Sequence, residues 1–468
     1  MKKQKEKTWM ALTLMLLVTC PLTVSADDVV FRLKNALGFP RTQEAVTVEV
    51  PEGTDLTGKQ LVDEAGRAIP YEACADGRIR FRADVARGAT AVFTLRDGVP
   101  APLAKRTYAA RMMPSSRNDI AWENDLAAYR MYSRQLQTSE PNTANGVDLW
   151  QKKTAEPVID RMYASSNYHS ENEFGVDAYS VNGKTLGAAG VSAYADGKLW
   201  LHDAYDECRI LENGALQAVF ELVYNKVEVD GAYYTKTLRI ETTAGRLLNK
   251  ATVRYDGPQK AMKMAVGIYQ HTNMAGVTPQ GAAYTDVPGL IGYAENKSEG
   301  TVTSPGARFY LGAYMPGVET TVQEIDHHLT VMCDYTPGTD LVYYFGGGWN
   351  IFPRDTYASD DDWFDALDRF RQTVDCPLVE TSMQTLPRKD EVIDIIHRVN
   401  GHWQETHPTH GDFFWNRAVY HIGNMEAYAV TGDASYLDYS QAWAERNNWT
   451  GTPALPGYCD RGIDRTGG

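Results

Sequence analysis

The chain has 468 residues, a formal net charge of −14, 43% apolar residues and 23% charged ones. That length exceeds one ordinary core, so two or three globular domains are expected and wholesale disorder is excluded. An acidic balance without clustered Lys and Arg excludes a phosphate-binding surface, so no nucleic-acid partner is expected.

The N-terminus carries Lys2, Lys3, Lys5 and Lys7, then an apolar run from Trp9 to Val24 that ends in Val24-Ser25-Ala26. Basic, apolar and small-residue regions in that order read as a secretory signal peptide, residues 1–26, with no other membrane span. Leu17 to Cys20 approaches a lipid-attachment box, but Thr19 stands where a smaller residue is wanted. Cleavage after Ala26 and a periplasmic or secreted location therefore lead over a lipoprotein anchored at Cys20. Cys74, Cys208, Cys333, Cys376 and Cys459 are widely spaced and odd in number, which is no disulfide framework or zinc ribbon.

From Val29 to about Thr356 the pattern is one of short strands broken by turn dipeptides. The clearest is Leu216 to Val229, then Asp230-Gly231, then Tyr233 to Ile240, a hairpin signal. Runs at Ala91 to Leu95 and Lys250 to Tyr255, closed by Asp97-Gly98 and Asp256-Gly257, repeat it. The fold class is mainly β, a large antiparallel sandwich. Gly346-Gly347-Gly348-Trp349 reads as a glycine-rich turn.

Near Asp360 the period changes, because Trp363, Leu367 and Phe370 recur at helical spacing. That helix closes the β module at about residue 378. A new helical region follows, with Val392, Ile395, Ile396 and Val399 on one face. Trp415, Ala418, Val419 and Ile422, then Thr431-Gly432-Asp433, then Tyr436, Leu437, Ser440 and Trp443 spell an αα-hairpin. Beyond Trp449 the periodicity vanishes, and 452–468 is a Pro/Gly-rich tail.

The β module holds a polar, aromatic-rich stretch with the residue types a sugar or uronate site needs: proton-transfer groups, hydrogen-bonding groups and ring-stacking surfaces. The candidate catalytic residues are His169, Tyr179, Asp177 and Arg130. For β-elimination, a His or Tyr base works beside a cation that neutralises the substrate carboxylate, the part assigned to Arg130. Candidate substrate-binding residues are Trp122, Glu123, Asp125, Asp148, Trp150 and Tyr168, with Trp415 and His421 in the helical region. His407 and His410 lie close, but zinc needs further ligands at compatible spacing, so no metal and no other cofactor is expected.

Two family resemblances rest on motifs. Trp122-Glu123-Asn124-Asp125, Tyr129-Arg130-Met131-Tyr132, Gly146 to Trp150, Tyr168-His169, Asp177-Ala178-Tyr179, Leu186 to Gly190 and Arg209 to Gly214 resemble the DUF4861 family over residues 29–378. The resemblance implies an exported protein of polysaccharide-degrading bacteria with a mutarotase-like or lyase-like sandwich. His402-Trp403, His407-Pro408, His410-Gly411, Phe414-Trp415-Asn416, Tyr420-His421 and Gly423 to Tyr428 resemble the start of the glycoside hydrolase 88/105 group, the unsaturated uronyl hydrolases, over 379–451. That group is built as an (α/α)6 barrel, and its catalytic aspartates lie on later helices. Asp460 and Asp464 do not replace them, and Thr452 onward reads as foreign to the domain, as a truncated or frameshifted gene produces.

The combined expectation is an exported carbohydrate-active protein whose partner is a uronic-acid-containing polysaccharide or oligosaccharide. The alternative is a non-catalytic glycan-binding module or an inactive secreted fragment.

Overall fold

The computed structural model describes residues 28–112, 118–141, 143, 145–165, 167–181, 183–202, 204–271, 281–353, 357–380, 384–385, 389–407 and 415–449. The leader, Cys459 and the 452–468 tail lie outside them, as do His410, Phe413 and Phe414. Contacts divide the chain into one compact unit over Val29–Met383 and a second that holds the C-terminal helices.

The first unit is mainly β, and its strand pairings are antiparallel. At its start, strands including Val29–Lys34, Arg41–Val48, Ile79–Val85 and Thr90–Asp97 form a six-stranded and a three-stranded sheet. Phe31, Leu33, Leu61, Phe81, Phe93 and Leu95 fill the space they enclose. Val379–Glu380 returns to pair with Leu33 and Lys34, so both ends of the module share one sheet.

Three further sheets, of five, five and eight strands, line a larger core. Its longest hairpin joins Gln217–Val229 to Ala232–Thr243 with Val229 opposite Ala232. Asp230 and Gly231 take φ of 47° and 76°, the double left-handed turn that Asp-Gly favours.

The Gly346–Gly348 run is a correction to the sequence reading: it lies inside the strand Leu341–Trp349 rather than in a turn. A Cβ at Gly347 would stand 2.2 Å from the Tyr310 carbonyl oxygen, and the Gly347 N–H donates to the Tyr129 hydroxyl at 3.1 Å. Gly346 and Gly347 are there for close approach, whereas a Cβ at Gly348 would meet nothing within 4 Å.

The helix Asp360–Asp375 starts on a capping box between Ser359 and Asp362 and buries Trp363, Phe364, Leu367 and Phe370. It packs on the eight-stranded sheet where Gly292 and Gly312 leave room for Leu367.

Lys236 is a buried exception in the large core. Its ammonium nitrogen lies 2.9 Å from the Val191 carbonyl oxygen and 2.8 Å from His202 Nε2. Burial pushes its pKa down to about 7. The unfolded chain binds a proton at this lysine between pH 7 and the usual lysine range while the folded chain does not, so folding stability rises with pH there. Below about pH 7 the whole penalty is present. Lys236→Met is therefore expected to gain melting temperature relative to the parent at pH 6 and to lose that advantage by pH 10, read from parallel thermal melts. An advantage independent of pH would show that charge burial is not the cause.

In the second unit, Lys389–Thr406, Trp415–Thr431 and Ala434–Arg446 are helices. Gly432 takes φ of 71° and the Asp433 side chain accepts from the Ser435 N–H at 2.9 Å, so the αα-hairpin forms as expected. Ile422 is 63% exposed and Val399 66%. Among the described residues no helix is long and apolar enough to cross a membrane.

Candidate active site

The strands Asp119–Glu123, Ala127–Met131, Asp148–Lys152 and Gly175–Asp177 are neighbours in one five-stranded sheet. Because side chains alternate across a sheet, its two faces differ in chemistry. Trp122, Tyr129 and Leu149 point into the large core, with the Trp122 and Tyr129 rings stacked at 5.4 Å. The other face carries Glu123, Arg130, Asp148, Trp150, Lys152 and Asp177, placed by the registers Arg130 with Asp148 and Trp150 with Asp177. That charged face is itself buried, under the short helix Ile159–Ala164 and the aromatic residues Tyr163, Tyr168 and Phe174.

Such burial demands pairing. Arg130 lies 2.9 Å from Asp148 and 3.8 Å from Asp177, hydrogen-bonds the Tyr132 hydroxyl, and sits among the Tyr132, Trp150 and Tyr168 rings. Asp148 also accepts from the Tyr132 hydroxyl at 3.0 Å and from Trp150 Nε1 at 3.2 Å. Asp177 is fully buried, yet among the described residues neither of its carboxylate oxygens accepts a hydrogen bond. Burial, with the Asp148 charge beside it, holds the Asp177 carboxyl well above the usual carboxylate range, against the opposing pull of Arg130.

His169 is the open member, its side chain 45% exposed. Its Nδ1 faces inward, 3.2 Å from the Asp177 carbonyl oxygen, 3.5 Å from the Asp177 carboxylate and 3.8 Å from Glu299. The Tyr168 ring contacts it at 4.6 Å and stacks on Trp150 at 5.3 Å. Glu299 comes from a distant loop that is pinned in place: Thr301 N–H donates to the His169 carbonyl at 2.8 Å, and Ser180 N–H donates to Ser298 Oγ at 2.7 Å across 118 residues. Gly300, at φ 64°, passes so close that a Cβ would lie 2.4 Å from the His169 carbonyl oxygen. Burial raises the Glu299 pKa, and Asp148 adds to it. One nitrogen or oxygen from each of His169, Asp177 and Glu299 lies within 4.8 Å of the others.

Of the residues proposed from sequence, His169, Asp177, Arg130, Asp148, Trp150 and Tyr168 are thus brought together. Tyr179 is not among them: it is fully buried, its hydroxyl donates to the Tyr269 carbonyl at 3.1 Å, and its ring packs on His271. Trp122 is core, donating to Asn249 at 3.2 Å. Glu123 pairs with Lys152 at 2.5 Å and accepts from the Val158 and Ile159 N–H groups, so it anchors the covering helix. Asp125 is held by Arg82 at 3.1 Å and the Gly245 N–H at 2.6 Å. His421 lies buried in the helical unit, stacked on Trp443 at 4.2 Å, and the Trp415 side chain lies outside the described residues. Sequence reasoning missed Glu299, because a lone acid in a polar loop carries no signal of a partner so far back along the chain.

A family model described as "Domain of unknown function (DUF4861)" matches residues 33–379, most of the chain. The chain belongs to the DUF4861 family. A second model, Glycosyl Hydrolase Family 88, matches residues 389–466 of this DUF4861 protein as a short partial domain. That match continues over the stretch read from sequence as foreign to the domain. The same pairing ties the DUF4861 protein to carbohydrate-active function. A relative from Formosa agariphila, described as uncharacterized protein P7, is 21% identical over 389 residues, covering 75% of this chain and 92% of that protein. Among solved structures, an alpha-mannosidase from Enterococcus faecalis V583 aligns at TM-score 0.35 and 9% identity over 76% of this chain and 46% of its own. A glycosyl hydrolase family 38 protein from Enterococcus faecalis aligns at TM-score 0.37 and 9% identity over 76% and 47%. The DUF4861 protein spans about half the length of each.

Proposed function

We propose that this protein is exported and acts as an enzyme on a polysaccharide or oligosaccharide that contains uronic acid, at the open rim formed by His169 and Tyr168. One observation carries the reading: a half-exposed imidazole stands directly over a buried carboxylate, beside a stacked pair of aromatic rings. The partly exposed Tyr168 ring, backed by the buried Trp150 ring, offers a surface for a sugar face, and a histidine–carboxylate pair moves protons or holds an electrophile. The leader-like start and the partial hydrolase region add to it.

Arg130 takes a different part from the one expected of a substrate-carboxylate clamp. It is buried and already committed to Asp148, so it serves as counter-ion to the acidic floor. The same fact favours the alternative, a non-catalytic glycan-binding module or inactive fragment, since the guanidinium of Arg130 is not free to meet a substrate.

Incubating the full chain with glucuronate- and galacturonate-containing oligosaccharides is expected to give new absorbance from an unsaturated product or new reducing ends. Retention on those glycans in affinity electrophoresis without any product would replace the enzymatic reading with the binding one.

A further inference from the structure

We propose that His169, Asp177 and Glu299 together hold a divalent transition-metal ion, with zinc as the reference case. From sequence no metal is expected, because His407 and His410 lack further ligands at compatible spacing. The three residues here come instead from a loop, a strand end and a second loop that only the fold brings together.

The donor set suits such an ion: one imidazole nitrogen and two carboxylates. Ligands at about 2.0–2.2 Å from zinc stand about 3.0–3.6 Å apart across tetrahedral or octahedral angles. Nδ1 of His169 lies 3.5 Å from the Asp177 carboxylate and 3.8 Å from that of Glu299, and all three donor atoms lie within 4.8 Å of one another, so the partly exposed Glu299 has to draw in to complete the set.

Two observations point to a cation rather than to a self-contained network. Both carboxylate oxygens of Asp177 are buried and accept no hydrogen bond among the described residues, where a native interior leaves few such atoms. Arg130 is shared between Asp148 and Asp177, so the acids of the cluster outnumber it. His169 has two ways to use Nδ1. Donating a proton to the Asp177 carbonyl oxygen leaves the Asp177 carboxylate without a hydrogen bond; binding a cation with the unprotonated nitrogen engages that carboxylate as well.

Three protein ligands leave positions open toward the exposed side of His169, as sites that engage a substrate do. A uronate carboxylate or hydroxyl would fill them, the part for which Arg130 is not free. That role in turnover rests on the function proposed above; the binding of the ion does not.

The test is calorimetric titration of the EDTA-stripped full chain with zinc chloride near neutral pH. One tight, EDTA-reversible ion per chain is expected, with calcium much weaker because it gains nothing from imidazole. His169→Gln, Asp177→Asn and Glu299→Gln should each weaken zinc by about ten-fold or more while melting like the parent in EDTA. No saturable uptake, or uptake unchanged in all three variants, overturns the proposal. Uptake without turnover of any uronate glycan keeps the ion and sinks the functional reading. Full turnover by a stripped chain that takes up no zinc does the reverse.

Discussion

His169→Ala is expected to turn over a uronate oligosaccharide about 10²–10⁴-fold more slowly than the parent, the usual loss when a positioned proton-transfer group is removed. The ring is half exposed, so its removal leaves no large cavity, and the melting temperature should move little. The contrasting variant is Tyr179→Phe. That hydroxyl is buried and serves the Tyr269 carbonyl, so its loss should cost about 1 kcal/mol of stability and leave turnover nearly unchanged. Steady-state kinetics alongside thermal melts separate the two. Equal activity losses in both variants would mean that the reacting centre is not at His169.

The largest effect on stability is expected at Lys152. Its ammonium group and the Glu123 carboxylate are both fully buried, 2.5 Å apart, and Lys152 also donates to the Asn124 carbonyl at 2.7 Å. Burial lowers the Lys152 pKa, with Glu123 opposing. Lys152→Met removes one partner and strands the other charge, at a cost of roughly 3–5 kcal/mol. With about 2 cal/mol/K of unfolding entropy per residue over a module of about 350 residues, the melting temperature should fall by roughly 4–7 °C. Adding Glu123→Gln to Lys152→Met should recover part of that fall, because a neutral amide that still accepts from the Val158 and Ile159 N–H groups is far less costly to bury than a carboxylate without its counter-ion. A single variant that melts with the parent, or a double variant that melts below the single one, would contradict the pairing.

Much of the fold was legible because it is written in local signals. Asp230-Gly231 declares a hairpin, and Trp363, Leu367 and Phe370 after an Asp-rich start declare a helix, from a few residues each. The site was legible only in part, since Tyr168, His169 and Asp177 are near one another in sequence while Arg130 and Asp148 sit on strands whose register no short motif reveals. Burial was the harder quantity. Glu123 and Asp125 look like ligand-binding acids until their partners are known, and Lys152 and Arg82 stand far from them along the chain. The glycines of Gly346–Gly348 misled for the same reason, because the close approach of Tyr129 and Tyr310 is a tertiary fact.

The hydrogen bond from Ser180 to Ser298 closes a loop of more than a hundred residues around the site. Closing so long a loop costs entropy that the hairpins, built from neighbours in sequence, do not pay, so the distant contact is expected to form late in folding. During refolding from urea, the far-ultraviolet circular dichroism of the strands should therefore return before any activity does. Activity, once regained, would then report that the last segments of the module have met.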